Sequence, residues 1–302
     1  MAHRSHPAAR LATLLLVAVT AVWGSTFFLI RDLVAHVPPI DFLAVRFAIA
    51  AVVMVVLFWR PLRALDRRQV LVGVGLGALY GLAQIAQTVG LASTPASVSG
   101  FVTGTYVVLT PMLTAVLLRE RVSGSTWLAV GLATAGLALL SLRGLTVGPG
   151  EAVTLLSALL YALHIVGLGR YSASEVATGL SVVQMVVIAV LCGVGAVPGG
   201  IVLPQTPGQW ATVLYMVAFA SILALWAQTW AQAHLPATRA AIVMTMEPVF
   251  AALFAVALGG ESLTWRMVVG GALVLTAMYA VEIVATRRRP RELPAEALHH
   301  EV

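Results

Sequence analysis

Polar side chains that could do chemistry are few in this chain, and each sits in apolar surroundings: Trp23, Gln84, Tyr106, Tyr161, His164 and Glu247. Glu247 is the most informative. An acid deep in an apolar run does not face lipid, and Pro248 after it removes the N–H that would bond the Met244 carbonyl. Two readings stand: a cavity carboxylate for a cationic or amine group or a proton, or a buried acid tied to Arg46 or to local hydroxyls. Arg46 could meet a ligand carboxylate, balance Asp41 five residues earlier, or pair with Glu247 across helices. Its depth near one boundary favours a gating or structural ion pair. His164 either lines a cavity one turn from Tyr161 or hydrogen-bonds a neighbouring helix. With no His or carboxylate three or four residues on, it is a poor metal ligand. Gln84 and Gln87 share a helix face, with Tyr106 on the next run. Neutral amides suit a zwitterionic or polyhydroxylated ligand, and interhelical bonding equally well. Gln228 is a similar case, and Trp226 and Trp230, four residues apart, could stack on an apolar or cationic ligand, with core or lipid packing the favoured reading.

The elements that position these groups follow from composition. Of 302 residues, 60% are hydrophobic and 10% charged, against about 45–50% and 25% in soluble domains. This excludes an ordinary water-soluble enzyme. Ten apolar runs are long enough to cross a bilayer: 11-30, 40-59, 70-89, 98-118, 126-142, 152-168, 177-197, 210-231, 240-258 and 267-285. No soluble domain fits in the connections. The first run follows Arg4 and Arg10 like a signal peptide, but it continues to Ile30 and is read as a retained helix. Trp59, Trp127, Trp210 and Trp265 fall at run ends as interface anchors.

All 18 basic residues are arginine, which with the Ala, Val, Leu and Gly load suggests a GC-rich bacterial genome. The net charge of +6 does not mark a nucleic-acid partner, because the arginines sit in short breaks between runs instead of clustering on one face. If both ends of the chain share one side, that side collects 14 arginines, at Arg4, Arg10, Arg60, Arg63, Arg67, Arg68, Arg119, Arg121, Arg170, Arg239, Arg287, Arg288, Arg289 and Arg291. The other side holds Arg31, Arg143 and Arg266. Cytoplasmic loops carry the excess, so both termini are expected in the cytoplasm of a multi-pass protein of the bacterial inner membrane. Residues 287-302 read as a disordered cytoplasmic tail at the lipid surface. Cys192 alone makes no internal disulfide, and Gly73, Gly77 and Gly81 form a face for close helix contact.

The chain also repeats itself. Pro95-Ala96-Ser97 through Glu120 is echoed by Pro236-Ala237-Thr238 through Glu261 at an offset of 141 residues, and Trp23-Gly24 by Tyr161-Ala162. Each half holds five runs. An odd number makes the second half enter from the opposite side, so the expected fold is an all-α membrane protein of ten transmembrane helices in two inverted five-helix repeats, 13-142 and 151-284. Inverted repeats are common in secondary transporters, with the site near the midplane between them.

Trp23-Gly24-Ser25-Thr26-Phe27, Arg46-Phe47, Pro111 with Glu120, and Glu247-Pro248-Val249-Phe250 before Gly260-Glu261 together resemble the EamA-type members of the drug/metabolite transporter superfamily. That resemblance implies a ten-helix carrier, without cofactor, that moves a small metabolite by alternating access. The family includes exporters of amino acids and drugs and carriers of sugars, which tilts the direction outward. Substrate would bind near Trp23, Gln84, Tyr106, Tyr161, His164 and Glu247, with lipid around the chain and protons as a coupling ion. Pro111 stands 9 residues before Glu120 and Pro248 stands 13 before Glu261, so helix breaks at the two prolines would fall at different depths. Two other classes fit less well. A channel or structural subunit would show a filter loop or ring of charge. A lipid-modifying membrane enzyme would show paired acids or metal ligands at helical spacing.

Overall fold

A computed structural model describes residues 6–34, 36–93, 96–141, 148–258 and 262–287. Arg4, Pro95, Arg143, Gly260, Glu261 and the tail after Arg287 lie outside the described residues. The first half runs α1 (His6–Val34), α2 (Pro39–Leu57), the short α3 (Trp59–Arg63), α4 (Arg67–Leu91), α5 (Ala96–Gly104), α6 (Tyr106–Leu117) and α7 (Gly124–Ser141). The second half opens with α8 (Pro149–Tyr171) and α9 (Ala177–Ala196). Then comes one rod of α10 (Pro207–Tyr215), a π-helical stretch Met216–Leu223 and α11 (Ala224–Gln232), followed by α12 (Ala237–Met244), α13 (Met246–Ala257) and α14 (Trp265–Arg287).

Helix is the form this composition allows, because a helix satisfies its own backbone where no water can. Starts are marked in the sequence. Asp66 accepts Gln69 N–H at 2.8 Å while Gln69 Oε1 accepts Asp66 N–H at 2.9 Å, and Thr206 and Gln209 do the same for α10; these are reciprocal caps. Pro39, Pro149 and Pro207 open their helices, where a missing N–H costs nothing. Among the described residues, seven helical stretches are long and apolar enough to span a membrane, including Pro39–Leu57, Ala177–Gly199 and the rod Pro207–Gln232; Val102–Leu117, Gly124–Leu139 and Trp265–Ala280 are shorter apolar helices.

Two runs that read as continuous in the sequence are divided, but not at the prolines expected to break them. The divisions fall at Thr105 and Thr245, whose ψ angles of −12° and −4° lie at the edge of the right-handed helical region. Each threonine donates both N–H (3.2 Å) and Oγ1 (2.6 Å) to the carbonyl three residues back, Val102 and Ile242 respectively. This tightens the turn locally. The two threonines are 140 residues apart, one short of the repeat offset, so the halves break at matching positions. Pro248 falls in the first turn of α13, where its absent N–H would have had no partner. Pro111 is carried inside α6, which continues to Leu117.

Packing is two-fold paired. The contacts α4 with α8 and α6 with α8 are answered by α1 with α11 and α1 with α13, α2 with α9 and α7 with α14 join equivalent helices, and α6 with α12 joins the two divided helix pairs. Two large apolar clusters result, one around α6, α8 and α12, the other around α2, α9 and the π-helical stretch. Trp23 and Tyr161, equivalent in the repeat, pack against both. Gly24 lets α1 meet α13, since a Cβ there would lie 2.8 Å from Ala251 N, Glu247 O and Phe250 Cβ. Backbone atoms cannot swing aside. Gly24→Ala should therefore cost about 1–3 kcal/mol by forcing the helices apart. Gly75→Ala, into open space, should leave stability unchanged or gain up to about 1 kcal/mol. Thermal unfolding of the two purified variants in one detergent checks the contrast.

Candidate functional site

The helices form a partly open cavity with about 80 Å³ open to the centres of water molecules, and Trp23, Arg46, Gln84, Tyr106, Tyr161 and Glu247 all line it. Trp23, Arg46, Gln84 and Tyr106 come from the first half, Tyr161 and Glu247 from the second. Of the residues singled out in the sequence as binding, only His164 is not in the wall.

One end of the cavity is organised by a backbone carbonyl. In the π-helical stretch the backbone bonds shift, so that Ala224 N–H reaches Phe219 O, and the Ala220 carbonyl accepts Trp23 Nε1 at 3.1 Å and Arg46 Nη2 at 3.0 Å. Arg46 Nε donates to Ser221 Oγ at 2.7 Å, and Ser221 Oγ donates back to Met216 O at 3.0 Å. The guanidinium also lies 4.9 Å from the Phe47 ring centroid and 5.9 Å from that of Phe42, within cation–π reach. A cation only 4% exposed is thus held by neutral dipoles and ring faces. Neither partner considered from the sequence holds it. Asp41 accepts Val202 N–H at 3.0 Å, and among the described residues no ion pair joins Arg46 to Glu247. Arg46 and Glu247 therefore line one cavity from different halves without pairing by contact.

A second hydrogen-bonded chain runs along the opposite helices. Tyr161 Oη donates to Gln87 Oε1 at 2.9 Å, and Gln87 Nε2 donates to Thr103 Oγ1 at 3.3 Å. Tyr80 meets the Tyr161 ring edge-on at 5.6 Å between centroids. His164 stands behind Tyr80, its ring centroid 5.0 Å away, fully buried, with Nε2 2.8 Å from Gln184 Oε1. Gln184 Nε2 donates to Leu180 O at 3.3 Å, which turns its oxygen to the imidazole. Nε2 is therefore the protonated nitrogen of a neutral ring, and Nδ1 has no partner.

Sequence reasoning missed Tyr80, Thr26 and Thr103 in the wall. Tyr80, Gln84 and Gln87 stand at i, i+4 and i+7, one face of α4, and that spacing could have found Tyr80. Ser221 gave no such signal, because its role depends on the local π-helical winding.

Fold and cavity define a helical membrane protein with a small chamber between two halves, its wall carrying both polar and apolar side chains. The chain belongs to the EamA-like transporter family, whose model matches residues 10–142 and 148–282, and so to the drug/metabolite transporter superfamily. It is 31% identical over 274 residues to an uncharacterized transporter of Archaeoglobus fulgidus, covering 90% of this chain and 86% of that one. It is also 27% identical over 128 residues to a protein of Streptantibioticus cattleyicolor named as a probable terminal-alkyne amino-acid exporter, covering 41% and 40% of the two chains. One crystal structure shares the fold at a TM-score of 0.76 and 19% identity, over 92% of this chain and 99% of that one.

Because His164 fills a closed site and satisfies a buried amide, His164→Ala should cost about 2–4 kcal/mol of stability. Tyr161→Phe, which removes one hydrogen bond, should cost about 1 kcal/mol. Thermal or denaturant unfolding of the two variants checks the order; a larger loss for Tyr161→Phe would contradict it.

Proposed function

We propose that this protein is a secondary transporter that exports a small metabolite, an amino acid or related compound, or a drug, across the bacterial cytoplasmic membrane by alternating access. The observation that carries the reading is the chamber itself: one small cavity, walled by both repeats, with an arginine and a glutamate that do not pair. Such walls suit a small zwitterion or amine, and the name of the Streptantibioticus relative supports an amino acid. In this reading the seven long helices and the three shorter ones make ten spans in two inverted five-helix repeats, 13-142 and 151-284. The arginine bias supports cytoplasmic termini.

Trp23, Gln84, Tyr106, Tyr161 and Glu247 contact the cargo. His164 acts through Tyr80, and Arg46 sets the gate end of the chamber. Rocking of one repeat against the other opens the chamber to each side in turn, with the divided helices at Thr105 and Thr245 as flexing points. Glu247 is the group that exchanges a proton for cargo when transport is coupled to a proton gradient.

In proteoliposomes carrying an imposed pH gradient, the wild type should accumulate at least one labelled L-amino acid against its concentration gradient. Glu247→Gln, near-isosteric and uncharged, should lower that rate about tenfold or more. An unchanged rate in Glu247→Gln would remove Glu247 from the mechanism.

A further inference from the structure

Gln228, in α11, is part of the chamber wall and only 2% exposed. Its Nε2 donates to Gln232 Oε1 at 3.2 Å, and Gln232 Nε2 donates to the carbonyl of Ile165 at 2.8 Å. A carbonyl can only accept, so the far end of this relay fixes its direction. Gln232 must turn its NH2 to Ile165 and its oxygen to Gln228, and Gln228 must answer with its own NH2. Flipping either amide would set like groups against each other. Gln228 Oε1 is thereby left buried without a partner, a costly state in an apolar interior.

Thr110 Oγ1 and His164 Nδ1 are in the same condition, but neither residue belongs to the chamber wall. Gln87 in the same wall has both ends engaged, its oxygen by Tyr161 and its nitrogen by Thr103. Gln228 therefore holds, on a residue of the chamber wall, a free acceptor whose orientation is set in advance. Glu247 adds a carboxyl group to the same chamber, while Arg46 directs Nε and Nη2 to Ser221 and Ala220.

We infer that Gln228 is a specificity-determining residue whose Oε1 accepts an N–H of a primary ammonium group on the cargo, with Gln232 and the Ile165 carbonyl as the positioning relay. This rests on the carrier reading above. Charge alone would not distinguish an ammonium from a trimethylammonium of the same charge, whereas an oriented acceptor would.

The test uses the full-length protein in detergent, with thermal-shift titrations of L-amino acids and of their N,N,N-trimethyl betaines. The wild type should favour the primary amine by about tenfold or more in apparent affinity, since the betaine leaves the acceptor unsatisfied. Gln228→Leu should shrink that preference to about threefold or less, Gln228→Glu should keep it, and Gln232→Leu, which frees the amide to flip, should fall between. Equal wild-type affinity for amine and betaine would overturn the inference without recourse to any variant. So would an undiminished preference in a Gln228→Leu protein whose unliganded melting midpoint matches the wild type. Binding of no amine by the wild type would overturn it too. Accumulation of an N–H-free cargo in proteoliposomes would then leave the carrier reading standing, and accumulation of none of the probes would remove both.

Discussion

The carbonyl of Ala220 is the acceptor on which the ordering of the chamber depends. A backbone carbonyl inside a membrane helix is normally taken by its own helix, and only a local change of winding makes it available to a neighbour. Here the π-helical stretch Met216–Leu223 brings α1 through Trp23 and α2 through Arg46 to a single atom. Without those dipoles and the two phenylalanine faces, a guanidinium at this depth would be an uncompensated charge in an apolar medium. Its presence therefore requires the winding, and the winding places two side chains of the first half on the rod of the second.

The second constraint is steric. Gly24 follows Trp23 directly and leaves room for the backbone of α13 at Glu247, Phe250 and Ala251. Trp23-Gly24 and Glu247-Pro248-Val249-Phe250, far apart in sequence, are thus two sides of one helix crossing. That crossing sets the carboxylate beside the chamber while Trp23 stays anchored to Ala220. A carrier that rocks its halves must slide or tilt this crossing, and the matched divisions at Thr105 and Thr245 are where the neighbouring helices already give up regular winding.

Much of this was legible in the sequence. Composition and run length gave the helices, the offset of 141 residues gave the repeat, and five of the six residues named as binding reach the chamber wall. The rest was hidden for physical reasons. A π-helical turn depends on which neighbour claims a carbonyl, so Ser221 and Ala220 carried no local signal. The prolines looked like the breaks because they remove hydrogen bonds. The position of the break, however, is set by the threonines, whose hydroxyls bind back to Val102 and Ile242, and a proline in a first turn has no bond to lose. Arg46 invited a carboxylate partner, yet neutral acceptors and rings sufficed. His164 lay on the right helix near Tyr161 but was claimed by Gln184 of α9, a contact that no pattern within α8 could reveal.

In the carrier reading, one chamber opens in turn to the two sides of the membrane. Because Cys192 is the only cysteine, Cys192→Ala gives a thiol-free background in which Gln84→Cys places a single reporter in the chamber wall. The decisive measurement is its rate of modification by a membrane-impermeant thiol reagent, applied separately to right-side-out and inverted vesicles, with and without a cargo that the protein accumulates. Modification is expected from both sides, with cargo slowing each. Modification from one side alone, whatever cargo is present, would show a blind pocket and contradict alternating access.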